Sequence, residues 1–167
     1  MTSWEEILGN VERHGWTVEA VARTDKHPSY AYTIGMCEYK KPDLFIIGMA
    51  PKMAIWGLNE LCKRMVILGG VEGIDAEIVN DLANFPLKLR MMPPNNPMIL
   101  AHKYAQEKKI EITALQVTFP DRTGLFPWES GCLDEFASMQ NPARFAIKGS
   151  GSASQDRITS LGVSGSD

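Results

Sequence analysis

The chain reads as an α+β domain, and three patterns carry that reading. Three stretches place apolar residues at helical spacing, five short runs are apolar or alternate with the period of a strand, and Gly- and Pro-containing breaks separate them. The expected architecture is a small mixed or antiparallel sheet, or a split-barrel-like one, of about five strands with three helices. It should occupy residues 1–148 and be followed by a disordered, flexible Gly/Ser-rich tail at 149–167.

The first helix starts at Ser3, which can cap the first-turn amides, with Glu6 three residues on to complete a capping box. Trp4, Ile7, Leu8 and Val11 then share one face, and Gly15 after His14 supplies the left-handed stop. Trp16 to Thr24 is extended, Asp25 to Ser29 is a polar break, and Tyr30 to Met36 returns as the second arm of a hairpin. Leu44 to Met49 is a third run. The last two are almost wholly apolar, as strands buried on both faces are. Pro51 suits the first position of a helix, and Ile55, Leu58, Leu61, Cys62 and Met65 continue it to Gly69-Gly70. Phe85, Leu87, Leu89 and Met91 alternate with Pro86, Lys88, Arg90 and Met92 and predict a strand with one buried and one mostly solvated face, ending at Pro93-Pro94. Pro97 to Lys109 is a short amphipathic helix, and Leu115, Val117 and Phe119 mark the last strand.

Composition narrows the function classes. A net charge of -3 and a pI near 5.6 argue against a broad nucleic-acid footprint, so no nucleic acid is expected as partner. Cys37, Cys62 and Cys132 are odd in number and lack CxxC spacing, which fits a reducing compartment rather than a disulfide framework. The N-terminus has no signal-peptide pattern and no apolar run is long enough to span a bilayer, so the expected location is cytoplasmic, with no membrane partner. His14, His27 and His102 show neither HxH nor HExxH spacing, so no metal site is expected.

No nucleophile elbow, Rossmann fingerprint or P-loop is present, and the glycines at 69–73 follow a helix rather than open one. His14 at a helix end is explained by the helix dipole or by a functional role. Cys37 can act as a nucleophile only with a base such as His14 in reach. Gly35 and Gly48 end apolar strands, where a glycine permits a bulge, a bend or the close approach of a ligand to the backbone. The late segment from Asp121 and Arg122 to Phe126 and Trp128 combines turn chemistry with large aromatics. Two readings follow. One is a lid folded onto the core; the other is a pocket with aromatic walls, hydroxyls from Tyr32 and Thr33, and charge from Asp121 or Arg122.

Four motifs in order carry a family resemblance: His14-Gly15-Trp16, Ala31-Tyr32-Thr33-Ile34-Gly35-Met36, Pro42-Asp43-Leu44 leading to Ile47-Gly48-Met49, and Phe119-Pro120-Asp121 with Gly124 to Trp128. From about residue 7 to residue 131 the chain resembles the domain-of-unknown-function family 4262. The resemblance implies small bacterial or bacteriophage proteins and a role in conflict between them, such as anti-defence. Lys41, where the family commonly has histidine, and the charged segment Lys103 to Lys109 depart from its pattern. A topological likeness to flavin-reductase-type split barrels is weaker.

The functional expectation is a non-enzymatic module that binds a small nucleotide-like ligand or a protein partner. Its ligand-binding candidates are His14, Trp16, Tyr32, Thr33, Gly35, Met36, Asp121, Arg122, Phe126 and Trp128. The alternative is a flavin-binding split-barrel oxidoreductase, dimeric across its cofactor site, and a third is a hydrolase with His14 or Asp121 as base.

Overall fold

A computed structural model of the protein describes residues 2–69, 77–78 and 85–141. The elements run α1 (Trp4–His14), β1 (Thr17–Val21), β2 (Tyr30–Ile34), a 3₁₀ turn (Met36–Tyr39), β3 (Asp43–Ile47), α2 (Pro51–Ile67), β4 (Glu77–Ile78), β5 (Leu87–Met91), α3 (Ile99–Lys108), β6 (Ala114–Thr118) and α4 (Asp134–Met139). The strands form one sheet in the order β1-β2-β3-β6-β5-β4. Among the described strands the β3–β6 pair is parallel and the other neighbours are antiparallel. The α+β class, the five principal strands and the three longer helices are as the sequence predicts. Of the two sheet forms expected, the open mixed one is formed.

Helices cover both faces. On one, α2 presses Ala54, Leu58, Leu61, Cys62 and Met65 onto Ala31, Leu44, Ile46, Leu87, Leu89, Leu115 and Val117. On the other, Ile7 and Val11 of α1 join Ala101, Tyr104 and Ala105 of α3 against Tyr32, Ile34, Phe45 and Ile47. A strand covered twice gains from apolar side chains at every position, each worth about 1.5–3 kcal/mol when fully buried. That is why β2 and β3 read as continuous apolar runs, and all five residues of β3 and of β6 are buried.

Local signals explain the element ends. Ser3 Oγ accepts a hydrogen bond from Glu6 N at 3.2 Å, and Gly15 N donates to Val11 O at 2.8 Å with the glycine at φ +94°. Pro51 opens α2 at a position whose missing amide hydrogen costs nothing.

One expectation is corrected by packing. Alternation in β5 holds for Leu87 and Leu89, but Met91 is 49% exposed and Met92 is buried at 4%. Met92 N donates to Ala114 O at 3.0 Å just past the strand end, and its side chain joins the α3-side core. Pro93 therefore ends a segment whose facing has already switched. The 3₁₀ turn, β4 and α4 were not anticipated, being too short to show a period. The Gly70–Gly73 turn and the 149–167 tail lie outside the described residues.

Candidate functional site

The end of α1, the start of β1 and the outer flank of α2 enclose an open groove of about 740 Å³. Asn10, Arg13 and His14 contribute from α1 at i, i+3 and i+4, which places them on one face. Ile55, Asn59, Lys63 and Ile67 contribute from α2 at successive four-residue steps. Trp16, Thr17 and Val18 form the floor. The Trp16 Nε1–H donates to Asn59 Oδ1 at 2.9 Å, which fixes the indole and leaves the Asn59 amide NH₂ to donate. Arg13 Nη2 donates to Asn10 Oδ1 at 2.7 Å, and Lys63 pairs with Glu60 at 2.8 Å. Among the described residues, no carboxylate lines the groove.

The floor is supported from behind by two further motifs. Gly35 has φ +108°, and a Cβ there would lie 3.0 Å from Val11 Cγ1, 3.3 Å from Gly15 O and 3.4 Å from Trp16 Cα. Its glycine is required by the close approach of the α1–β1 corner. Tyr39, in the turn that Gly35 begins, meets Trp16 edge to face at 6.4 Å between ring centroids. The turn is anchored by Asp43, whose Oδ1 accepts from Thr33 Oγ1 at 2.7 Å and from Met36 N at 3.1 Å. Thr33 Oγ1 in turn accepts from Leu44 N at 2.9 Å.

Asp43 is fully buried and its Oδ2 has no hydrogen-bond partner. Burial raises its carboxyl to about 7, against the lowering effect of its Thr33, Met36 and Cys37 hydrogen bonds. Cys37 is also buried, and desolvation, with Asp43 and Glu38 nearby, pushes its thiol up to about 11. A thiol so raised holds little thiolate, the nucleophilic form, near neutral pH. Cys62 is raised further, by burial first and then by Asp43.

The remaining candidates are distributed elsewhere. Tyr32 faces α3, where its hydroxyl accepts from Leu100 N at 3.3 Å and burial raises it to about 12. Thr33, the next residue along the strand, points to the opposite face, so the two hydroxyls do not share a pocket. Met36 is a core side chain with no exposed surface. Phe126 and Trp128 stack at 5.1 Å over β5, with Lys88 Nζ 4.8 Å from the Phe126 centroid and Arg90 Cζ 4.6 Å from that of Trp128.

Register measures the separation. Glu19, Tyr32, Phe45, Gln116 and Arg90 form one row across the sheet. Arg90 is therefore three strands, about 14 Å, from Tyr32. Asp121 organises its own loop: Oδ1 accepts from Thr123 N, Thr123 Oγ1 and Leu125 N, and Oδ2 from Leu133 N. These bonds, that from the Thr123 hydroxyl foremost, hold its carboxyl well below the usual range. Arg122 is exposed. The lid reading thus describes Phe126, and the single pocket expected from Tyr32 and Thr33 to Trp128 is not formed.

The sequence model of the family described as "Domain of unknown function (DUF4262)" matches residues 10–133, about three quarters of the chain. The chain belongs to this family. No curated protein and no solved structure matches it. Three of the DUF4262 motifs quoted above meet in space: His14-Gly15-Trp16 lies against Gly35, and Thr33 and Met36 are bound by Asp43. The fourth, from Phe119 to Trp128, builds the loop over β5.

Of the residues that line this groove, His14 and Trp16 are among those the sequence singles out as candidates, and Arg13, Asn59 and Lys63 are not. Their signal was available. Asn59 and Lys63 continue the Ile55 stripe of α2 beside its apolar face, and Asn10, Arg13 and His14 repeat that pattern on α1.

Proposed function

We propose that this DUF4262 protein is a non-enzymatic binding module that holds a small nucleotide-like ligand in the α1–β1–α2 groove. The observation that carries the reading is the convergence of His14 and Trp16 with Asn59 and Lys63 around about 740 Å³, within the range of small-molecule sites. An indole pinned by Asn59 offers a rigid aromatic wall, and polar side chains from both helices supply orientation. The buried, poorly ionised Cys37 supports binding over thiol catalysis. The flavin reading rested on split-barrel topology, and an open sheet gives it no support.

A thermal-shift screen of nucleotides, with mass spectrometry of protein purified under native conditions, tests the proposal. A ligand at 100 times its Kd should stabilise the fold by about 2.7 kcal/mol. Trp16→Ala should remove that shift. No shift with any nucleotide and no co-purifying small molecule would overturn the reading.

A further inference from the structure

We infer that the groove is a phosphoryl site, in which Arg13, His14 and Lys63 clamp the anionic end of the ligand; this rests on the reading that the groove holds a small molecule. The three side chains come from two helices that line one opening, and among the described residues no acidic side chain lines it, Glu60 pairing with Lys63 from outside that lining. A single carboxylate would leave part of that positive charge unmatched, whereas a phosphoryl group carries up to two charges and three acceptor oxygens.

The donors are available. Arg13 commits Nη2 to Asn10 Oδ1, a neutral partner, and keeps its other guanidinium hydrogens. The Lys63–Glu60 contact is an i,i+3 pair with the lysine 55% exposed, the kind of surface pair that contributes little and is readily exchanged. The α1 C-terminus carries a partial negative charge of roughly half a unit, which opposes an anion. One full guanidinium charge, with Lys63 lining the same groove, outweighs that half charge. Asn59, held by Trp16, adds a neutral donor where the anionic and aromatic parts of a ligand would join.

The test is a titration of the full chain with inorganic pyrophosphate, and separately with adenosine, following the Trp16 indole and Asn59 side-chain amide signals by NMR. Pyrophosphate should shift both saturably, and Arg13→Gln and Lys63→Gln should each weaken it roughly tenfold. Both residues are exposed, so the variants should melt as the parent does. Glu60→Gln should tighten binding, an effect that a merely structural role would not produce. Arg90→Gln, on β5, should leave affinity unchanged. If adenosine shifts the two signals and pyrophosphate does not, the phosphoryl inference fails while the binding reading stands. If neither probe shifts them, both fail. Pyrophosphate binding indifferent to Arg13→Gln and Lys63→Gln overturns the clamp.

Discussion

Trp16 and Asn59 are joined by a 2.9 Å hydrogen bond across 43 residues of sequence, from indole Nε1 to side-chain Oδ1. This bond ties the start of β1 to the middle of α2 and sets the width of the groove between them. Trp16→Phe keeps most of the ring and removes the donor. Because Asn59 is half-buried, water can replace the lost partner, and the cost should be about 1 kcal/mol. Urea unfolding at unchanged m-value measures it. A Trp16→Phe protein as stable as the parent, with Asn59 unchanged in its amide signals, would show that the bond does not hold the groove.

Gly35→Ala should be far more costly than its size suggests. The backbone at φ +108° disfavours any Cβ, and the added methyl would meet Val11 Cγ1 at 3.0 Å and Gly15 O at 3.3 Å. Strain and overpacking together should destabilise by on the order of 2–4 kcal/mol. Val11→Ala in the same chain should relieve the side-chain clash but not the dihedral strain, giving a coupling energy smaller than the whole loss. A loss under about 0.5 kcal/mol for Gly35→Ala would contradict this account.

These two positions also show what was legible in the sequence. Helix starts, strand runs and turns are local, so Ser3, Gly15 and Pro51 announced themselves through capping and dihedral preference. Gly35 could be picked out as special, but the sequence offered a ligand as the approaching group where the structure has the α1–β1 corner. The same limit misplaced Trp128, because its position depends on β3 pairing parallel with β6 across the long α2–α3 crossover. No local pattern encodes that pairing. Asp43 was quoted only as part of a motif, since a carboxyl between Pro42 and Leu44 looks like turn chemistry until burial on both faces is known.

Asp43 should make stability fall as pH rises through neutrality. Burial raises its folded value to about 7 from the ordinary 3.8, so between these the folded state keeps a proton that the unfolded state has lost. Stability should therefore decline by roughly 1.4 kcal/mol per pH unit from about pH 4 to pH 7, on the order of 4 kcal/mol in all, and then level off. Asp43→Asn retains an acceptor for Thr33 and Met36 and cannot ionise. Chemical denaturation from pH 4 to pH 8 should show the variant gaining on the parent as pH rises, with the gap constant above 7. Parallel curves across that window would mean that the buried carboxyl does not titrate as described.

Asp121 should act in the opposite sense and in a different window. Its carboxyl is held below the usual range by the Thr123 hydroxyl and by the Thr123, Leu125 and Leu133 amides. A group of this kind contributes its full stability above the unfolded value near 3.8 and loses it as pH falls through the folded value. The acid limb below pH 4 thus belongs to Asp121 and the neutral limb to Asp43, so the two carboxyls together place their joint optimum near pH 4. Asp121→Asn keeps one acceptor and loses the charge that strengthens all four bonds. Hydrogen exchange at neutral pH should then speed up at Thr123, Leu125 and Leu133 while β2 and β3 stay protected, because the bonds lost are confined to one loop. Equal acceleration throughout the sheet would mean instead that Asp121 supports the global fold, and that the Phe126–Trp128 stack over β5 depends on it.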